Sequence, residues 1–434
     1  MKKKLTFICI FALLSSPFLF AQQYRIKYST DAKDPMSLEN AIRLALENNY
    51  ELLLTEQDVV IAEQRLKESK MLYLPQISVN AGATAYNLDS PTVLPESFGL
   101  RFLEENNDHK NSELFYGVGV LATQYLYTGG RTSSTVSMAN AGLKEAMSRY
   151  EAVKSSVIYN VKEAFFNYLF LQQKLALIKD AYKRTDAIIS KAQLKQWERV
   201  MVKAEQSTLK SEINSVNRDL EAARLKLVQT LNKEADSKIF ITGDFDYIPV
   251  NVDLAKATLW AMEFRPELKS ALYKLEMDNI AVKLSLARRY PDIMLGASYD
   301  RQGYDDLDDE NFQLTLALKL PIGYNYGTQL RQKRAEQRQT VLKRAAIEDT
   351  IRLEVTNAFN KLTFWQQEAP ARIETWDAIN KELNRLDTST MAKEDIFKTF
   401  DYFYKAGVGY LEAIKQHMLA VADLELAVGQ DIRE

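Results

Sequence analysis

The chain has 434 residues, with 58 acidic and 56 basic side chains, two histidines and one cysteine, Cys9. No basic patch dominates, which argues against nucleic acid as a partner. Once the leader that holds Cys9 is removed, disulfides, zinc–thiolate sites and cysteine catalysis are excluded.

That leader spans residues 1–21: Lys2-Lys3-Lys4, an apolar run from Leu5 to Phe20, and Ala21 at the cut. The pattern is that of a signal peptide, because the run is short and Pro17 interrupts it, whereas a membrane helix needs roughly 20 apolar residues. Three of the basic residues leave with it, so the mature chain is more acidic than the formal −2. No later apolar run is long enough for a spanning helix.

Residues 22–36 are polar and contain Pro35, which suits an extended segment. Ser37 is placed to cap a helix whose apolar positions Leu38, Ile42, Ala45, Leu46, Leu52, Val59, Ala62 and Leu66 keep helical spacing, with a slip near Asn48-Asn49. After Pro75 the period becomes two: Ile77, Val79, Ala81, Ala83 and Ala85 alternate with Ser78, Asn80, Gly82, Thr84 and Tyr86, as in a strand with one apolar face. A long polar stretch, about 88–112, separates it from a partner strand that ends in Tyr125-Leu126-Tyr127-Thr128-Gly129-Gly130.

From Arg131 to about Glu198 there is no proline and apolar residues recur at three and four. At about 1.5 Å per residue such a helix approaches 100 Å and needs coiled-coil neighbours along its length. Val202 to about Leu231 returns antiparallel, and residues 234–252 read as a connection.

The plan then repeats. Leu38–Gly82 and Leu254–Ser298 align without a gap at an offset of 216 residues: Glu51-Leu52 on Glu267-Leu268, Pro75-Gln76-Ile77 on Pro291-Asp292-Ile293. A repeat of this length is a whole supersecondary unit. The second copy's strands alternate through Ile293, Leu295, Ala297 and Tyr299, then through Phe312, Leu314, Leu316, Leu318 and Leu320. A second helical hairpin follows, with Pro370 expected to kink its outgoing arm. The predicted organisation is a first repeat over 37–233, with strands about 75–87 and 113–127, and a second over 253–434, with strands about 291–303 and 311–323.

Four strands are too few to close a barrel, and the edges of such a sheet are not tolerated in lipid, so other copies of the chain would have to complete it. In water the alternative is a small sheet packed on a helix, within a soluble exported coiled-coil scaffold or periplasmic adaptor. Tyr125, Tyr127, Tyr290, Tyr299, Tyr324 and Tyr326 gather near strand ends, as aromatic girdles do at membrane interfaces, and favour the barrel.

The chain resembles the TolC-like outer membrane efflux proteins. The resemblance is carried by the Leu-x-x-Ala start of the repeat, Arg265-Pro266-Glu267-Leu268, Leu74-Pro75-Gln76-Ile77, Leu320-Pro321-Ile322, Gly129-Gly130 and Leu424-Glu425-Leu426-Ala427-Val428-Gly429, in family order. It implies an α+β membrane protein in the outer membrane of a Gram-negative bacterium, extending into the periplasm. Each protomer of a homotrimer would give four strands to a 12-stranded β-barrel continued by a helical coiled-coil barrel. The implied partners are outer-membrane lipid, a periplasmic adaptor (membrane fusion protein) and an inner-membrane pump of RND or ABC type. The implied role is exit duct of a tripartite efflux or type I secretion system.

The polar alternates Ser78, Asn80, Thr84, Asp300, Gln313, Thr315 and Lys319 are then expected to line a watery lumen, with an ordinary solvent face as the alternative. Pro75 and Pro291 mark the helix-to-strand junctions. The resemblance implies an aperture and adaptor contact at the hairpin tips, here Glu198, Arg199, Lys203 and Glu205, and Asp387, Lys393, Glu394 and Asp395; a solvated charged turn is the competing reading. Neither tip has the glycine the family often carries. The acidic run Asp305 to Glu310 suits a divalent cation in principle but does not fit an EF-hand loop, and reads as a solvated outer loop. His109 and His417 form no dyad by sequence, and there is no Gly-x-Ser-x-Gly, phosphate loop or dinucleotide fingerprint. The expectation is no enzyme, no cofactor and no metal, with transport energy supplied by a partner.

Overall fold

A computed structural model describes residues 35–86, 113–191, 196–237, 239–303, 307, 309–322, 326–385 and 393–432. Each half opens with two helices end to end: α1 (Leu38–Asn48) and α2 (Tyr50–Met71), then α5 (Leu254–Phe264) and α6 (Pro266–Ala287). The paired lengths are identical, 11 and 22 residues. The break falls at the same repeat position and is made by different chemistry. Asn49 accepts from the Leu52 amide at 3.1 Å and caps α2. Arg265 makes no cap; instead Pro266 starts α6, where its missing N–H costs nothing.

Both second helices tighten at their ends. The amides of Tyr73 and Leu74 bond three residues back, as do those of Arg289 and Tyr290, and Pro75 and Pro291 then end the helical backbone. The strands that follow are β1 (Gln76–Tyr86) and β2 (Glu113–Tyr127), then β3 (Asp292–Gly303) and β4 (Asp309–Lys319). They form one antiparallel sheet in the order β1-β2-β3-β4, so the two halves meet at β2 and β3 and both outer edges are open within the chain.

Two long hairpins complete the halves: α3 (Arg131–Lys191) with α4 (Gln196–Thr230), and α7 (Tyr326–Arg385) with α8 (Lys393–Val428). The outgoing arms have 61 and 60 residues, about 90 Å each, and the return arms only 35 and 36. The short helices make up the difference. Near the sheet α6 lies against α3, with Ser270 donating to Glu145 at 3.2 Å, and against α7, with Thr340 donating to Asp278 at 2.6 Å. Further out the return arms take over, so α3 has neighbours along its course. α7 continues through Pro370 as one helix.

The repeat is visible in the packing. Ala41 and Ala45 of α1 are fully buried against Val157, Val161 and Phe165 of α3; Ala257 and Ala261, their repeat equivalents, are fully buried among Ile351, Val355 and Leu424. Small side chains at these four positions let the short helices approach the long ones closely. The extended segment before α1 is tied to the connection: Met36 donates to the Phe240 carbonyl at 2.7 Å and accepts from the Thr242 amide at 3.2 Å.

Arg265 shows why the Arg-Pro-Glu-Leu motif and the closing Ala-Val-Gly belong together. Its buried guanidinium pairs with Glu267 and with Glu354 of α7 and donates to the Ala427 carbonyl at the end of α8. Gly429, at φ 82°, leaves the space: a Cβ there would lie 3.2 Å from the Arg265 backbone.

The sheet is anchored to the helices by a second such arrangement. Gly129, at φ 62°, turns the chain from β2 into α3, and a Cβ there would lie 2.4 Å from the Cβ of Tyr290. The two junctions are therefore in contact, and Arg131 ion-pairs with Asp292 across them. At neighbouring Gly130, at φ 82°, a Cβ would meet nothing nearer than the Ser133 Oγ at 4.0 Å, an ordinary contact. Gly130→Ala should cost only the left-handed backbone penalty, about 1–2 kcal/mol, and melt close to the parent protein. Gly129→Ala adds an unavoidable clash and should melt far lower, with the junction open to protease; equal melting of the two variants would contradict this packing.

Candidate functional site

Strand pairing sorts the side chains into two faces, because directly paired residues project to the same side. One face carries Ile77, Val79 and Ala81 of β1, Val118, Val120 and Ala122 of β2, Ile293, Leu295, Ala297 and Tyr299 of β3, and Phe312, Leu314, Leu316 and Leu318 of β4. On the outer strands these side chains lie open: Val79 is 71% exposed and Phe312 74%. At its far end this apolar face closes with one ion pair, Arg301 to Glu310 at 2.8 Å.

The opposite face is polar. Register brings Ser78 and Asn80 into the same rows as Leu121 and Gly119, then Ser298 and Asp300, then Gln313 and Asn311; Thr315 lies opposite Gly296 and Lys319 opposite Asp292. Thr84 takes a register position in this face, opposite Phe115. All seven predicted lumen positions thus share one side of the sheet. A bulge at Leu126 reverses the order at the rim, so Tyr125 falls on the polar side and Tyr127 pairs with Ile293 on the apolar side.

The polar face continues into the helical part at the junction. Gln76, Thr123, Tyr125, Thr128, Arg131 and Thr132 line a cavity of about 180 Å³ there.

At the first hairpin tip, Arg199 and Lys203 are exposed and Glu205 is half-buried on α4. Glu198 lies in the first turn of α4, and Lys393, Glu394 and Asp395 in that of α8, while Asp387 lies outside the described residues. Periodicity hid a second feature of this tip: Trp197, Val200 and Met201, spaced to share one helix face, are all about half exposed or more. Most of the acidic run from Asp305 to Asp308 lies outside the described residues. Among the described residues no group of three or more His, Cys, Asp or Glu is placed to hold a metal, and no helix is long and apolar enough to cross a membrane.

The two hairpins are tied together by carboxylates that accept from tyrosines. Tyr159 of α3 donates to Asp423 of α8 at 2.6 Å, and Lys361 of α7 reaches the same carboxylate at 2.5 Å. Closer to the tips, Tyr404 of α8 donates to Glu212 of α4, which Lys174 of α3 approaches at 3.8 Å. Burial, and then the adjoining carboxylate, push both phenols well above the ordinary tyrosine value, so both stay protonated donors throughout the physiological range. On the same two arms Lys405 is raised chiefly by its bond to Asp401, with Glu205 of α4 a further contributor. Sequence offered no signal for these ties, since their partners lie 264 and 192 residues apart.

Residues 41–233 match the model of the outer membrane efflux protein family. The fold matches a membrane protein from Pseudomonas aeruginosa with a TM-score of 0.74 at 17% identity, covering 90% of this chain and 93% of that one. It also matches the open-state MtrE outer membrane channel of Neisseria gonorrhoeae (0.71, 19% identity, 91% and 89% covered) and the CmeC outer membrane channel of Campylobacter jejuni (0.68, 16%, 90% and 85%). The chain resembles the TolC-like outer membrane efflux proteins. A comparison with curated proteins returns no match. The helix-rich α+β fold, with its four antiparallel strands in one sheet, is thus matched by two proteins described as outer membrane channels.

Hydrogen bonds to charged acceptors contribute about 1.5–3 kcal/mol. Tyr404→Phe should therefore loosen the contact between α4 and α8, seen as faster amide exchange in the outer parts of both arms while exchange in the sheet is unchanged. Unchanged exchange near the tips would show that the Tyr404–Glu212 bond does not hold the hairpins together.

Proposed function

We propose that this chain is the outer-membrane exit duct of a tripartite efflux or type I secretion system, a passive conduit that an inner-membrane pump of RND or ABC type feeds through a periplasmic adaptor. The observation that carries the reading is the segregation of the sheet into two faces, one of them apolar on its outer strands from Ile77 to Ala81 and from Phe312 to Leu318, with only Gln124 and the Arg301–Glu310 pair at its two ends, and the other carrying the polar positions. A soluble sheet has no use for so much open apolar surface, whereas a lipid-facing wall around water requires it.

The open edges call for further copies of the chain, and three is the number the family resemblance implies. β1 and β4 are separated by three antiparallel steps, so β4 of one copy can pair antiparallel with β1 of the next. Three copies give a 12-stranded closed sheet with no edge left in lipid. The polar face then lines a lumen that includes Ser78, Asn80, Thr84, Asp300, Gln313, Thr315 and Lys319. The long hairpins form the periplasmic tunnel, and their tips bear the aperture and the adaptor contacts: Glu198, Arg199, Lys203 and Glu205 on one, Asp387, Lys393, Glu394 and Asp395 on the other. Single exposed pairs contribute only about 0–1 kcal/mol, so such a gate acts through several charges together.

Cys9 is the only native cysteine, so single thiols can report the two faces. Asn80→Cys in outer membranes should react with a charged, membrane-impermeant thiol reagent, and Val79→Cys should not until detergent strips the lipid. Equal labelling of the neighbours in intact membranes would favour the soluble scaffold instead.

A further inference from the structure

The polar face is not uniform along its length. At the junction end Lys319 faces Asp292, whose carboxylate is already paired with Arg131, so this level carries a net positive charge. At the opposite end Asp300 and Asp309 occupy the same face, with no cation on it among the described residues: Asp300 lies opposite Gly119 and Asn311, and Asp309 opposite Gln302. Glu113 joins them by register position, opposite Tyr86. Between the two levels the rows hold only neutral residues, among them Ser78, Thr123, Ser298, Gln313 and Thr315.

Asp300 is also presented. Asn311 donates to its Oδ2 at 3.2 Å, and the β2 residue opposite is Gly119, where even a Cβ would lie 3.0 Å from the Asp300 Cβ. Gly82 and Gly117 clear the next row. Glycine thus clears the β1–β2 side of this half-buried carboxylate, while Gln302, in the next row of β3, is buried.

Eight residues separate Asp292 from Asp300 on β3, about 26 Å along the strand. That exceeds the Debye length of about 10 Å at ~0.1 M salt, so the two levels act as independent belts at low salt and are screened at ~1 M.

Resting on the duct reading, we propose that the barrel interior is a two-belt charge filter, lysine toward the periplasm and aspartate toward the exterior, that makes ion passage directional. Each belt admits its own counter-ion. With the outer side positive, cations enter through the aspartate belt while anions enter through the lysine belt, and the barrel fills with carriers. With the opposite polarity, cations meet lysine first and anions meet aspartate first, and the barrel empties. The same order opposes re-entry of anionic solutes at the mouth and of cationic ones at the junction.

The test is the current–voltage curve of the full-length assembly inserted from one side into planar bilayers of neutral lipid in potassium chloride. At ~0.1 M salt the current should be larger with the outer side positive, and the asymmetry should vanish at ~1 M. Asp300→Asn combined with Asp309→Asn should remove most of it, and Lys319→Gln alone should weaken it. Wild-type channels that conduct symmetrically at low salt, or whose asymmetry survives either high salt or the double variant, overturn the two-belt filter and leave the duct standing. Wild-type protein that forms no conducting channel contradicts the duct itself. The salt series needs only the parent protein, so a variant that fails to insert does not spare the proposal.

Discussion

An unpaired strand edge beside an apolar face is the constraint on which this architecture turns. Within one chain β1 and β4 each offer a row of unbonded amides and carbonyls, and the adjoining face is largely apolar, with Gln124 and the Arg301–Glu310 pair at its ends. Water would satisfy the edges and punish the face; lipid would accept the face and punish the edges by several kcal/mol for each unpaired group. Closure with further copies of the same sheet meets both demands, because the outer strands run in opposite directions and can pair.

The helices answer to the same demand. On the proposed closure the sheet has to be held at a set angle to its supports, and the two junctions do this together: Gly129 lets β2 turn tightly beside Tyr290, and Arg131 grips Asp292. Arms of about 90 Å cannot stand alone, so each borrows a neighbour near the sheet and another beyond it. The Arg265 clamp, closing on Glu354 and the Ala427 carbonyl, joins the start of one short helix to the end of the return arm. Two copies of one plan thus share their load at β2–β3 and along α3, α6 and α7.

Much of this was legible in the sequence because its signals are local. The change of period at Pro75 and Pro291 announces strands, and the slip near Asn48-Asn49 falls where α1 gives way to α2. Alternation alone also put Ser78, Asn80, Asp300, Gln313, Thr315 and Lys319 on the polar side of their own strands; only pairing shows that these sides coincide. β2 resisted such reading, since Gly117 and Gly119 have no side chains to mark a face and the bulge at Leu126 reverses the parity of Tyr127. The long-range ties were illegible for a different reason. Arg131–Asp292, Arg265–Glu354, Tyr159–Asp423 and Tyr404–Glu212 join residues far apart in the chain, and a charge or a tyrosine on a helix does not name its partner.

The central claim is that the sheet belongs to an assembly and not to the chain. Native mass spectrometry of the mature protein, extracted from outer membranes in mild detergent, addresses it directly. The account predicts a particle of three chains that releases monomers only when its fold is lost. Recovery of the protein as a folded monomer from the soluble periplasmic fraction would contradict it.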